Sequence, residues 1–335
     1  MSNVADGKKW RSFKSNKVAY CSLYFVVLLV LISIFTEFIS NNKPILLQYK
    51  GNLYFPIYQK ITSKDLGVEK GPLLIDYKKL DLKDSLVLWP LNKFGPFETN
   101  TALEKYPSPP GVGGHWLGTD NQGRDLFARL VYGLRNSLIF AVAVWLMSYF
   151  IGIVIGAIQG FFGGRVDFIF QRSIEIFSAI PFLFLLIILV SFLQPNVFLL
   201  AALTTIFGWI GISYYIRAEF FKLRKLEFVE AARALGAGRI KLFTKHLIPN
   251  SLTPVITLSP FAITGNIGVL ASLDYLGFGL PPPAASWGEL LNQAKEYFDH
   301  AWWLAFYPAL TLACTLVVIN FVGEGVREAF DPRSS

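Results

Sequence analysis

Charge is scarce in this sequence. Only 16% of its 335 residues are Asp, Glu, Lys or Arg, against about a quarter in soluble domains. Apolar residues make up 53%, so the chain reads as a membrane protein before any segment is inspected. Its two cysteines, Cys21 and Cys314, lie far apart inside apolar runs, which argues against a disulfide framework and against a CxxC metal site. His115, His246 and His300 show no metal-ligand spacing and read as ordinary surface or interfacial residues. Also missing is any Gly-x-x-x-x-Gly-Lys-Ser/Thr run, so no P-loop of this chain can cradle nucleotide phosphates. The apolar runs lack HExxH, GxSxG and paired carboxylates, which leaves no pattern for an intramembrane enzyme.

What the chain has instead is length without charge. A helix needs about 20 mostly apolar residues to cross a bilayer. Charge-free runs cover 18–36, 136–164, 176–216, 247–273 and 301–323. The third is long enough for two crossings and contains Gln194-Pro195-Asn196, a turn-forming triplet that divides it. Six spans are therefore predicted, at about 18–40, 136–159, 174–193, 197–216, 252–273 and 303–323. The first run follows Lys8, Lys9, Arg11, Lys14 and Lys17, but it is longer than a signal-peptide core and no small-x-small site follows. A retained anchor is expected. Ionisable residues come no closer than the span ends, at Glu37, Glu175, Asp274 and Glu324, which disfavours a proton- or ion-coupled secondary transporter.

A net charge of +8 raises the question of a nucleic-acid partner. The distribution answers it. With the N-terminus inside, segments 1–17, 160–173, 217–250 and 324–335 hold 17 of the 31 Lys and Arg residues, and the short outer loops 194–196 and 274–303 hold only Lys295. That is the positive-inside pattern of an inner-membrane protein, and no nucleic acid is expected as a partner. The tails 1–17 and 324–335 are placed in the cytoplasm and 41–135 outside.

Within that outer segment, 41–115 mixes aromatic and β-branched pieces with Lys, Gly and Pro. It reads either as a lid or docking element for an extracytoplasmic partner or as a partly ordered surface loop. Over 115–138, Leu126, Phe127, Leu130 and Leu134 recur at helical spacing with Arg124, Arg129 and Arg135 elsewhere on the turn, which predicts an amphipathic helix at the outer interface. Gly152, Gly156 and Gly160 repeat every four residues in the second span and predict a close-packing face. Beyond the fifth span, Gly277, Gly279 and the Pro281–Pro283 run make a rigid bend, and Ser286-x-x-Glu289 is a capping box. Trp302 and Trp303 fit an aromatic belt.

The segment 217–250 is too basic and short for a domain, yet too regular for a plain connector. Phe228, Ala231, Ala232 and Leu235 form one apolar stripe, and Gly236 supplies the left-handed position that ends a helix. A second amphipathic piece, 239–248, runs into Pro249. Small alanines on a stripe suit a helix that seats in a partner's groove; a helix lying on the inner leaflet is the alternative.

Glu230-Ala231-Ala232, three residues, Gly236, nine residues and His246-Leu-Ile-Pro249 resemble the EAA loop of bacterial ABC importer permeases. Ile248 departs mildly, since leucine is commoner before the proline. "HWLGTDNQGRDLFARLVYG", "AIPFLFLLIILV", "LDYLGFGLPPPAASWGELL" and "REAFDPR" resemble segments of the dipeptide/oligopeptide permease group, over 114–333. The long 41–115 segment is similar to the Yej-type peptide permease, a kind that also admits peptide–nucleotide antibiotics such as microcin C. The resemblance implies an all-α membrane protein with six transmembrane helices of the type I ABC importer permease fold, carrying an extracytoplasmic insertion after the first helix. It implies a non-catalytic permease subunit with no cofactor of its own, ATP being bound by a partner ATPase. A second, related permease subunit, an extracytoplasmic peptide-binding protein and membrane lipid complete the implied partners. In this family the EAA loop couples to the ATPase. Carried over residue by residue, Glu230, Ala231, Ala232 and Gly236 form the docking core, Arg233 and His246 flank it, and Pro249 leads into the fifth span.

Overall fold

The computed structural model describes residues 2–66, 75–78, 80, 85–193 and 196–331. It begins with helix α1 (Ser2–Ser15). Asn16 then caps α2 (Lys17–Ile34), its side chain accepting from the Ala19 N–H at 3.1 Å, and a short turn, α3 (Thr36–Ile39), follows. Next come three antiparallel strands, β1 (Leu46–Tyr49), β2 (Asn52–Tyr54) and β3 (Leu86–Leu88), in spatial order β2-β1-β3. Leu47 stands opposite Tyr54 on one side and Val87 on the other. Lys50 and Gly51, with φ of 50° and 83°, make the two-residue turn between β1 and β2, the backbone that suits a tight hairpin. Leu47, Leu66 and Tyr77 form a small core of their own, and burial pushes the Tyr77 hydroxyl above its usual pKa. The segment after the first span therefore carries a hairpin-based unit with a hydrophobic centre.

Helix α4 (Leu126–Phe162) is one unbroken element of 37 residues. The amphipathic helix predicted over 115–138 begins only at Leu126 and runs without a break into the second span. Chain reversals at Gly118 and Gly123, with φ of 84° and 72°, precede the helix, and Asp125 caps it by accepting from the Ala128 N–H at 2.7 Å. From there nothing stops the helix until Gly163, so the amphipathic turn and the second span are continuous. Leu126, Leu130 and Leu134 face the protein core.

The predicted span 174–193 also needs correction. Helices α5 (Gly164–Ser178) and α6 (Phe182–Phe192) meet there at a bend of 72°. Pro181 is the cause. It restricts the preceding Ile180 to extended backbone and offers no N–H to the ladder, so one helix ends at Ser178 and the next starts after Pro181. The predicted turn at Gln194-Pro195 lies outside the described residues. Asn196 caps α7 (Val197–Leu223), accepting from the Leu199 N–H at 2.9 Å.

Helix α8 (Glu227–Ala234), a helical stretch made of α9 (Arg239–Lys241), a π-wound turn (Leu242–Leu247) and α10 (Ile248–Asn250), and then α11 (Thr253–Tyr275) follow. The last helices are α12 (Trp287–Tyr297) and α13 (Trp302–Phe330). Among the described residues α2, α4, α7, α11 and α13 are each long and apolar enough to cross a membrane, and the bent α5–α6 pair brings the number to six when it is counted as one broken span.

Helices α4 and α7 form the tightest contact. A Cβ on Gly152 would sit 2.6 Å from the Trp209 carbonyl oxygen, and one on Gly160 would sit 2.9 Å from that of Arg217; one on Gly156 would collide with the Ser213 carbonyl. The glycine ladder is thus a backbone-to-backbone seam, as small-residue repeats in membrane helices allow. Of the two tryptophans predicted to form an aromatic belt, Trp302 is exposed. Trp303 is 4% exposed, and its indole N–H donates to the Thr119 carbonyl at 3.1 Å, because it fills the core between α12 and α4.

Candidate functional site

The two ends of α4 carry two distinct features, a helical lever that holds the predicted site residues and a buried ionic cluster. At its C-terminal end sits the lever formed by α8 to α10. Good helix formers fill 227–234, and the helix is ended by a full set of C-terminal bonds: the Gly236 N–H donates to the Arg233 carbonyl and the Ala237 N–H to the Ala232 carbonyl, both at 3.0 Å. Gly236 has φ of 81°, the left-handed value this termination requires. The side of α8 that packs inward is set by Val229, buried with Leu223, Leu242 and Leu247. The predicted apolar stripe points elsewhere. Phe228 and Ala231 are exposed, Leu235 is 89% exposed, and only Ala232 is half-buried.

The piece predicted to be amphipathic over 239–248 is wound more widely in its centre. The Ile248 N–H bonds back five residues to the Phe243 carbonyl. The widening comes just before Pro249, whose ring would crowd the carbonyl four residues earlier in an α-wound turn. Phe243 packs edge-on against Phe161 of α4 at 5.2 Å and tilted against Phe220 of α7 at 5.6 Å. The lever is therefore bolted to the α4–α7 seam, while Glu230, Ala231, Arg233, Gly236 and Pro249 stay exposed and His246 is half-buried. The candidate site residues share one short lever, with Glu230, Ala231 and Arg233 on α8.

At the N-terminal end of α4 lies a buried ionic clasp that the sequence reading missed. Arg129 is fully buried, and Arg124 is 2% exposed. Arg124 meets Asp120 at 2.6 Å and Glu289 at 3.0 Å. Arg129 lies 3.3 Å from Asp120, pairs with Glu289, and donates to the carbonyls of Pro96 and Ala284 at 3.0 Å each. Two cations and two carboxylates thus neutralise one another between the chain before α4 and the start of α12. Glu289 also explains why the capping box is only half made: Ser286 accepts from the Gly288 and Glu289 N–H groups, but the Glu289 carboxylate is spent on the arginines. The Asp120–Arg124 spacing of four was the one local signal for this pairing.

His115 is corrected too. It is 1% exposed, stacked on Phe94 with ring centres 4.0 Å apart. Its Nδ1 lies 2.7 Å from the Asp125 carboxylate and its Nε2 accepts from the Asn100 amide at 3.0 Å. Asn92 donates to the same Asp125 at 2.7 Å. Asp125 therefore caps α4 and gathers three separate pieces of the outer segment. The remaining His300 is exposed, as predicted.

A family model described as "Binding-protein-dependent transport system inner membrane component" matches residues 152–335. The chain belongs to that family. A second model, the N-terminal TM domain of oligopeptide transport permease C, matches residues 8–56. The chain is 41% identical to the inner membrane ABC transporter permease protein YejE of Escherichia coli, over 98% of this chain and 97% of that one. It is 38% identical to the peptidoglycan transport system permease protein YejE of Agrobacterium fabrum, over 98% and 93%. It is 30% identical to the oligopeptide transport system permease protein OppC of Bacillus subtilis, over 96% and 87%. The protein is a multi-pass inner-membrane permease subunit of an ABC importer, with the type I permease fold. In this family such a subunit works with an ATPase and an extracytoplasmic binding protein.

Proposed function

We propose that this chain is one of two related permease subunits that import oligopeptides, with both termini in the cytoplasm and ATP hydrolysed on separate subunits. The observation that carries the coupling role is the lever itself. Its docking stripe of Phe228, Ala231 and Leu235 faces outward with Glu230 beside it, while Val229 on the other side locks α8 to the spans. A surface helix held rigidly from behind and bare in front suits a groove on a partner. Glu230 supplies a charge for a basic group there, Ala231 and Ala232 allow close approach, and Gly236 sets the angle at which the partner's motion reaches α11. His246 and Pro249 complete that surface, and Arg233, one turn on from Val229, flanks it on the side of the cavity behind α8.

Moving a two-state transporter from 1:99 to 99:1 takes about 5.5 kcal/mol of differential binding. Nucleotide-driven closure of an ATPase pair, felt through the lever, is the source. This chain contributes no nucleotide cofactor site, in keeping with its lack of a P-loop sequence. Peptides are the cargo favoured by the relatives' names, and peptide–nucleotide antibiotics such as microcin C belong to the same class. The test is uptake of labelled peptides of graded length, with cell-wall peptides as one arm, in cells lacking this chain and in cells given it back. Restored uptake of peptides is expected. Uptake that is the same with and without the chain, for every length tried, would overturn the reading.

A further inference from the structure

Between the end of α4 and the lever lies a cavity of about 480 Å³ lined by Arg224, Arg233 and Arg239. No acidic residue lines it. Arg233 and Arg239 have no carboxylate partner among the described residues, although Glu227 and Glu230 sit on the same helix as Arg233. Arg224 spends one donor on the Gly160 carbonyl at 3.3 Å and stacks on Phe221 at 4.5 Å, which leaves further guanidinium donors free. Three arginines lining one cavity that has no carboxylate in its walls make it a candidate site for an anion.

A second cavity of about 340 Å³ adjoins the first, sharing Phe161, Phe162 and Arg239 with it and adding Ile158, Ile240 and Phe243. Its other lining is wholly apolar. Ile158 lies one helical turn back along the spanning helix from Phe162, about 6 Å deeper toward the membrane. Ile240 is 80% exposed and Phe162 57% exposed, so this groove faces outward along α4. A free phosphate or an acidic side chain would use the arginine half and leave the apolar half idle. A ligand with an anionic head and a hydrocarbon tail fits both.

We propose that the elbow between α4 and the lever binds one acidic phospholipid, its phosphodiester on Arg224, Arg233 and Arg239 and an acyl chain along Ile158, Ile240 and Phe243. Basic pockets at the inner ends of membrane helices hold such headgroups, and the tail adds buried apolar area. The lipid would wedge the lever against α4, so the lever's rest position depends on the lipid in the inner leaflet. The site stands whether or not the cargo is a peptide.

The test uses the full chain, delipidated in detergent and titrated with phosphatidylglycerol or phosphatidylcholine of matched acyl chains, with bound lipid counted by native mass spectrometry. Saturable retention of one phosphatidylglycerol is expected, and no comparable phosphatidylcholine site. The double variant Arg233→Gln, Arg239→Gln should weaken retention about thirtyfold. Ile240→Glu, at an exposed position remote from folding, should weaken it as well while leaving all three arginines in place. Equal retention of the two lipids would overturn the proposal. So would wild-type retention in both variants, or full displacement by inorganic phosphate at the lipid's own concentration, which would make this a free-anion site.

Discussion

Arg129 and Glu289 are 160 residues apart in sequence, yet the arginine's guanidinium meets the glutamate's carboxylate in the interior of the protein. Arg124 shares the same carboxylate. The contact ties the chain leading into the second span to the helix leading into the last one. Glu289→Gln would leave two buried cations facing Asp120 alone. Breaking a buried pair from one side costs about 3–5 kcal/mol, and the lower end applies because Glu289 keeps some solvent contact. Thermal unfolding of the purified variant should therefore show a loss of about 3 kcal/mol. An unchanged midpoint would mean that the clasp is not structural.

The seam between α4 and α7 makes a steric prediction. Gly156→Ala places a methyl group against the Ser213 carbonyl, where a backbone cannot step aside as a side chain can. Overpacking of this kind costs about 1–3 kcal/mol. Gly211→Ala is the control, since a Cβ there meets nothing within 4 Å. Lowered melting and poor yield are expected for the first and near-normal behaviour for the second. If both behave alike, the ladder is not a contact face.

The contrast between those two features shows what a sequence can reveal here. The glycine ladder and the Gly236 stop are legible because a period of four and a left-handed glycine are local facts. The clasp was not legible, because a charged residue on an amphipathic pattern looks solvent-facing until its distant partner is known. Arg129 and His115 were misread for that reason. The 72° bend between α5 and α6 was legible in principle. Pro181 marks it, but in a run without charge the Gln194-Pro195-Asn196 triplet is the stronger turn signal. The stripe on α8 was found, though its inward side is set by Val229, which the pattern did not single out.

Topology is checked with fused reporters. A reporter within 41–66 should read as extracytoplasmic, and one within 222–245 as cytoplasmic, because the short basic loop carries the positive-inside signal. Swapping the two outcomes at either site would reject the orientation with the N-terminus inside.

Gly236 gives the sharpest test of the lever. A Cβ there meets nothing within 4 Å, but φ is 81°, so substitution is opposed by backbone conformation and not by crowding. Valine in a left-handed position costs about 1–2 kcal/mol or more, whereas asparagine visits it readily. Gly236→Val should relieve the strain by breaking the bonds from Gly236 to Arg233 and from Ala237 to Ala232, which unwinds the last turn of α8 and turns Leu235 away from the docking face. Gly236→Asn should keep those bonds. Neither change touches the apolar spans, so membrane levels of both variants should stay near wild type while only the valine variant loses uptake. Glu230→Lys acts by charge alone. On a groove it should weaken co-purification of the ATPase, and a reversed charge on the partner should restore part of it. On a lipid surface an added lysine would be neutral or favourable, by about 1 kcal/mol near anionic headgroups. Uptake and ATPase association are read together. Wild-type values of both in Gly236→Val and Glu230→Lys would show that residues 226–249 do not transmit the motion.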